Sequence, residues 1–164
     1  MATFVHIFAA DDRASILKNG IKVQKAIWRK TNGVFVSPVT KNYYATHQWH
    51  REVQRVSNVP KLAARIKIPD DQQVLIGKYN DDHIDVAASR AIRVAMKHED
   101  PIGLEVIIPR AIKPDEILKI YKPPKVVGWR YHPAAKGTKP CGCPYCQKGE
   151  PFSKKIKEKY ERSL

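Results

Sequence analysis

The three cysteines of this chain lie together near its C-terminal end, at a spacing that suits metal binding. Cys143 and Cys146 form a Cys-x-x-Cys pair, and the glycine and proline beside them bend the backbone so that Cys141 can join. Zinc takes four tetrahedral ligands from Cys and His, and His132 is the nearest histidine. The alternatives are a redox pair, three inert thiols or an iron–sulfur site. A thioredoxin-like context is missing for the first, and three thiolates are few for an iron–sulfur cluster. The sequence therefore predicts a structural zinc site.

Charge points to a polyanionic partner. The chain has 30 Lys and Arg against 16 Asp and Glu, which gives a net charge of +14. The basic residues dominate the stretch from Lys122 to Lys159. Each phosphate that a cation neutralises releases condensed counterions, so this surplus favours nucleic acid, DNA or RNA. The alternative is a soluble basic protein with no such partner.

Membrane association is not indicated. No apolar run reaches the roughly 18 residues that a spanning helix needs. The N-terminal residues include acids where a secretory signal would carry basic residues. Three clustered cysteines do not make a disulfide framework. We therefore expect a cytoplasmic protein with no membrane partner; the sequence does not indicate an oligomeric state.

The order of the predicted elements favours an α+β fold, since strands and helices do not alternate regularly. Pro123-Pro124 marks a boundary after a first part of residues 1–122. Beyond it the sequence predicts a loop-rich, zinc-binding segment over 123–150 and a basic, Lys-rich tail over 151–164. The strands are predicted at residues 4–8, 34–36, 63–68, 73–76, 103–109 and 117–121. The first helix is predicted to be capped by Asp11 or Asp12, to run through Leu17 and to be closed by Gly20. Helices are also predicted over 39–56 and 85–98, with a helical turn at 114–116. The apolar face of the helix over 85–98 is predicted to consist of Ala88, Ala91, Ile92, Ala95 and Met96.

One acidic residue stands out among the strands. Glu105 lies between Leu104 and Val106 on a buried-looking strand, where a carboxylate is costly unless it is paired or functional. Strand alternation could still point it at solvent. The acidic turn at residues 81–85 admits a metal cluster, but capping of the helix over 85–98 explains it more simply.

Three segments, taken in order, resemble the ADP-ribosyltransferase fold. The segment His6-Ile7-Phe8, followed by residues 15–21, resembles its opening strand and helix. Residues 33–37 and 40–44 are similar to a strand and helix of the poly(ADP-ribose) polymerase type. Residues 103–109, GLEVIIP, are similar to the strand that carries the catalytic glutamate in DNA-targeting ADP-ribosyltransferase toxins.

The resemblance implies a split β-sheet clamp that holds NAD as a substrate. His6 would hydrogen-bond the nicotinamide-side ribose, and Ser37 belongs to the same NAD-binding set. Either Tyr43 or Tyr44 would stack on the nicotinamide ring. Glu105 would hydrogen-bond a ribose hydroxyl and stabilise the oxocarbenium-like sugar of the transition state.

The function expected from this resemblance is transfer of ADP-ribose from NAD to a macromolecule. Nucleic acid is the first acceptor to consider because of the charge, and both a toxin and a housekeeping enzyme fit. The alternative from another class is a non-enzymatic, zinc-containing protein that binds nucleic acid. An RNA 2′-phosphotransferase would also use NAD, but its ordered His and Arg set is not found in the sequence.

Overall fold

The computed structural model describes residues 1–25, 31–40, 43–54, 59–79, 81–101 and 103–123, without the side chains of residues 43, 44 and 51. The strands are β1 (Ala2–Ala9), β2 (Val34–Pro38), β3 (Lys61–Ile68), β4 (Gln73–Lys78), β5 (Ile84–Ala87), β6 (Leu104–Ile108) and β7 (Ile117–Tyr121). The helices are α1 (Arg13–Asn19), α2 (Tyr43–His47), α3 (Trp49–Gln54) and α4 (Ala88–Lys97). Short 3-10 turns cover Ala10–Asp12 and Pro114–Glu116.

The seven strands form one sheet in the order β5-β4-β6-β2-β1-β3-β7. Every neighbouring pair is antiparallel. The α+β prediction is therefore confirmed, and all six predicted strands are present in the sheet. In the described part of the chain, no helix is long and apolar enough to cross a membrane.

The sheet is weakly joined between β1 and β2. These strands pair only at Phe4 with Pro38 and at Val5 with Ser37, whereas β1 pairs with β3 along its whole length. On its other side β2 pairs with β6 over residues 34–36. The ladder between β1 and β2 thus ends after Val5, and we call this interruption the seam.

The two faces of the sheet carry different layers. The larger core includes Phe4, Val36 and Val106, and α4 packs onto it through Ala88, Ala91 and Ala95. Side chains alternate along a strand, so the odd residues of β1 point to the opposite face. There Val5, Ile7 and Ala63 form a smaller cluster, covered by residues of α3.

α1 ends where the sequence predicts. The φ of Gly20 is 77°, a left-handed conformation that suits glycine, and its N–H donates to the carbonyl oxygen of Ile16 at 2.9 Å. A Cβ on Gly20 would lie 1.9 Å from the carbonyl oxygen of Ile112, which bridges to Ile21. The predicted side-chain cap is wrong, because Asp12 is the N-cap residue but makes no capping hydrogen bond.

Two helix predictions need correction. The helix predicted over 39–56 is two short helices, α2 and α3, separated at Gln48. The helix predicted from Asp85 begins at Ala88, because residues 84–87 pair with β4 as strand β5. The acidic turn at 81–85 consequently leads into β5 and does not cap α4. Met96 is also 55% exposed, although its spacing predicted a place on the buried face.

Candidate functional site

A cavity of about 270 Å³ opens beside the seam, on the face of the sheet covered by α3. It draws residues from three neighbouring strands and one helix. Its polar and aromatic lining includes His6, Gln24, Phe35, Ser37, Trp49 and Glu105. Three residues singled out from separate motifs, His6, Ser37 and Glu105, therefore lie around one cavity.

His6 reaches across the seam. Its Nδ1 lies 2.8 Å from the carbonyl oxygen of Phe35, on the strand from which β1 has separated. A carbonyl oxygen only accepts, so Nδ1 carries the proton, and in the neutral ring Nε2 carries a lone pair. Burial lowers the pKa of His6, and the hydrogen bond to Phe35 offsets this only in part. The neutral ring thus keeps one acceptor nitrogen. As an even residue of β1, His6 stacks on Phe8 of the larger core, and it also lines the cavity.

Glu105 is buried, with only 5% of its surface exposed. Strand β6 is buried along its length, so the alternative of a solvent-facing carboxylate is wrong. Its Oε1 lies 3.1 Å from Nε2 of His83, which follows the β4–β5 turn. Nδ1 of the same imidazole lies 2.9 Å from the carbonyl oxygen of Asp81. A buried carboxylate is costly without a partner, and His83 provides one.

Gly77 makes room for this contact. It pairs with Glu105 across β4 and β6. A Cβ on Gly77 would lie 2.9 Å from Cγ and 3.0 Å from Nδ1 of His83, and 2.6 Å from the carbonyl oxygen of Asp82. The imidazole therefore packs over a glycine and reaches the carboxylate on the next strand.

The start of β6 is tied to the helical layer. Trp49, on the cavity wall, donates from Nε1 to the carbonyl oxygen of Leu104 at 3.1 Å, and its indole packs on Tyr79. Gln48, which is 1% exposed, accepts the N–H of Gly103 through Oε1. These contacts fix the strand beside Glu105 relative to α3.

A strip of cations lies on the same face of the sheet. Arg65 pairs with Val5 of the cavity wall and with Lys119 on β7, and Lys67 follows along β3. Lys119 Nζ lies 5.3 Å from the ring centroid of Tyr121. Burial raises the pKa of Tyr121, while the nearby charge of Arg65 acts in the opposite direction. The cavity thus has basic strands beside it.

Two groups of expected site residues are not placed by the structure. Tyr43 and Tyr44 begin α2, which packs against β2, but their side chains are outside the described atoms. The four predicted zinc ligands, His132, Cys141, Cys143 and Cys146, lie outside the described residues. Within residues 1–123, where described, no group of three or more His, Cys, Asp or Glu side chains could hold a metal ion.

Sequence reasoning missed His83 and the cavity role of Trp49. A signal for His83 was present, since an isolated glycine within a strand pattern indicates close approach by another group. Gly77 is such a residue. The contact of Trp49 with Leu104 joins residues 55 positions apart, so no local sequence pattern indicates it.

Comparison with known proteins adds no relative. No protein-family model, curated protein or solved structure matches the chain.

Proposed function

We propose that this chain is an ADP-ribosyltransferase that cleaves NAD at the bond between ribose and nicotinamide. The supporting observation is the meeting of His6, Ser37 and Glu105 around one cavity. They come from three separate motifs, and all three motifs resemble the same family. The seam between β1 and β2 is consistent with the split-sheet clamp that the resemblance implies.

The chemistry of these groups suits the reaction. Nε2 of neutral His6 can accept a hydrogen bond from a ribose hydroxyl, and the Glu105 carboxylate can accept another. As the bond to nicotinamide breaks, positive charge develops on the ribose. A carboxylate held in a buried site stabilises that charge mainly in the transition state. The nucleophile of the acceptor then bonds to the ribose carbon and loses its proton.

The cavity suits one end of the substrate. Its volume of about 270 Å³ is just below the range of ligand sites, which span about 300–1,000 Å³. The nicotinamide and its ribose would occupy it, and the rest of NAD would extend outside. The tyrosines at the start of α2 are the candidates for stacking on nicotinamide.

Nucleic acid is the acceptor class that we propose. The net charge of +14 favours it, as does the cation strip of Arg65, Lys67 and Lys119 beside the cavity. Phosphates bound along these strands would bring a base or a terminal group towards the ribose. Such binding weakens steeply as salt concentration rises.

The test is NAD turnover by the full chain, with DNA, RNA or protein as acceptor. Nicotinamide release and labelling of the acceptor from labelled NAD are measured together. Glu105→Gln keeps the shape of the side chain but removes its charge, and should slow both readouts by about 100- to 1,000-fold. Glu99→Gln, at an exposed acid, is the matched control and should leave both unchanged.

The outcomes separate the alternatives. Labelling of protein instead of nucleic acid would support the proposed reaction but show that protein is the acceptor. Salt-sensitive nucleic-acid binding without NAD cleavage would favour the non-enzymatic alternative. Full activity in Glu105→Gln would refute the assignment of Glu105.

A further inference from the structure

The contacts of His83 determine where its protons must lie. Its Nδ1 faces the carbonyl oxygen of Asp81 at 2.9 Å, and its Nε2 faces Oε1 of Glu105 at 3.1 Å. The carbonyl only accepts, so Nδ1 is protonated. A neutral imidazole has a single N–H, which leaves a lone pair on Nε2. That lone pair would meet an ionised carboxylate as one acceptor facing another.

A hydrogen bond between Nε2 and Oε1 therefore requires one proton more than a neutral histidine and an ionised carboxylate hold together. The pair is either imidazolium with carboxylate or imidazole with carboxylic acid, and both forms contain the same number of protons. We propose that His83 and Glu105 share this proton and that His83 positions Glu105 for the reaction. The positioning role rests on the proposed function.

The surroundings of the pair are built for this contact. Gly77 lies beside Glu105 in the sheet and leaves space for the imidazole above it. The carbonyl of Asp81 fixes the other side of the ring. The side chains of His83 and Glu105 are 11% and 7% exposed, so water competes little for the bond. Three separate features of β4, its following turn and β6 thus favour one orientation of the carboxylate.

Loss of the shared proton has a defined consequence. At alkaline pH the Nε2 lone pair and the carboxylate oxygen would repel each other at 3.1 Å. The imidazole would move away and the carboxylate would lose its orientation, so turnover should fall on the alkaline side.

Other titratable groups border the pair or its elements, and they must be distinguished from it. Burial lowers the pKa of His6, which stays neutral as the pair loses its proton. Asp81 and Asp82 are exposed on the turn, and Lys78 is in an ion pair with Asp100. Among the described residues, Tyr79 packs on Trp49, and Glu52 of α3 is buried.

The proton can be observed directly by nitrogen-15 NMR of the histidine side chains in the full chain. In the wild type at neutral pH, we expect both ring nitrogens of His83 to show the protonated signature or its exchange average. In Glu105→Gln the amide can donate to Nε2, so His83 should become a neutral ring protonated at Nδ1. His83→Gln identifies the His83 signals by their loss, and His98→Gln, at an exposed histidine, should leave those signals unchanged. A wild-type His83 that is already neutral and matches Glu105→Gln would overturn the proposal.

Kinetics test the positioning role. His83→Ala should lower the rate of NAD cleavage by up to about 100-fold with little change in KM, because the carboxylate is misplaced. His83→Gln retains a donor but does not titrate, so it should recover much of the rate and lose the alkaline fall. If His83→Ala keeps the full rate and the wild-type pH profile, His83 does not position Glu105. If neither the wild type nor any variant cleaves NAD, the proposed function is wrong. The NMR result would still show whether His83 and Glu105 share a proton.

Discussion

Gln48 should be among the side chains on which folding depends most. It is 1% exposed, and its amide joins three backbone groups. Its Nε2 donates to the carbonyl oxygens of Ala45 and Pro101 at 2.9 and 3.2 Å. Its Oε1 accepts the N–H of Gly103, which lies directly before β6. Gln48→Ala removes all three bonds at once.

The magnitude follows from what each lost bond leaves behind. A buried N–H without its acceptor lowers stability by about 2 kcal/mol, and each carbonyl without its donor lowers it by about 1 kcal/mol. The loss in unfolding free energy should therefore be about 4 kcal/mol, before any cost of the empty space. With a urea m-value of about 2 kcal/mol per molar, the midpoint should move down by about 2 M.

Urea denaturation followed by circular dichroism measures this shift. Gln73→Ala is the matched control, because Gln73 is exposed and makes a single side-chain bond of 3.3 Å to the carbonyl oxygen of Asp71. Its effect should stay below about 1 kcal/mol. A shift in Gln48→Ala no larger than in the control would refute the assignment of the three bonds to stability.

Two further predictions concern pH and metal. Because burial lowers the pKa of His6, the unfolded chain binds a proton that the folded chain does not as pH falls below 6.5. Stability should therefore decline from pH 7.5 towards pH 5.5 more steeply in the wild type than in His6→Phe, measured by urea midpoints; parallel slopes would contradict the buried neutral ring. The purified chain should contain about one zinc ion by mass spectrometry, and Cys143→Ser should lose most of it; a metal-free wild type prepared with zinc would argue against the site.

Local patterns predicted the elements whose causes are local. The continuous apolar run around Val106 predicted a buried strand, and the glycine after Asn19 predicted the end of α1. In both cases the residues that determine the structure are neighbours in sequence. The α+β class followed from their order.

The features that sequence reasoning missed depend on distant partners. α2 and α3 separate at Gln48, whose amide bonds residues beyond position 100. Residues 84–87 are a strand because β4 offers an open edge, although helical spacing continues from Ala88. His83 is visible as a site residue only when β4 and β6 are paired through Gly77. Each case is decided by tertiary pairing, which overrides local preference.

The helix opposite the cavity has a mechanical consequence. α4 packs on β1 and β2 as well as on β4 and β5, so a single rigid element spans the seam from behind. Its contact side is made of Ala88, Ala91 and Ala95, which lets the helix lie close to the sheet. The alanine methyl groups of α4 then set the spacing between the strands on the two sides of the seam. That spacing determines the width of the cavity on the opposite face of the sheet. A bulkier residue there would push the helix away from the sheet and alter the cavity from positions that do not line it.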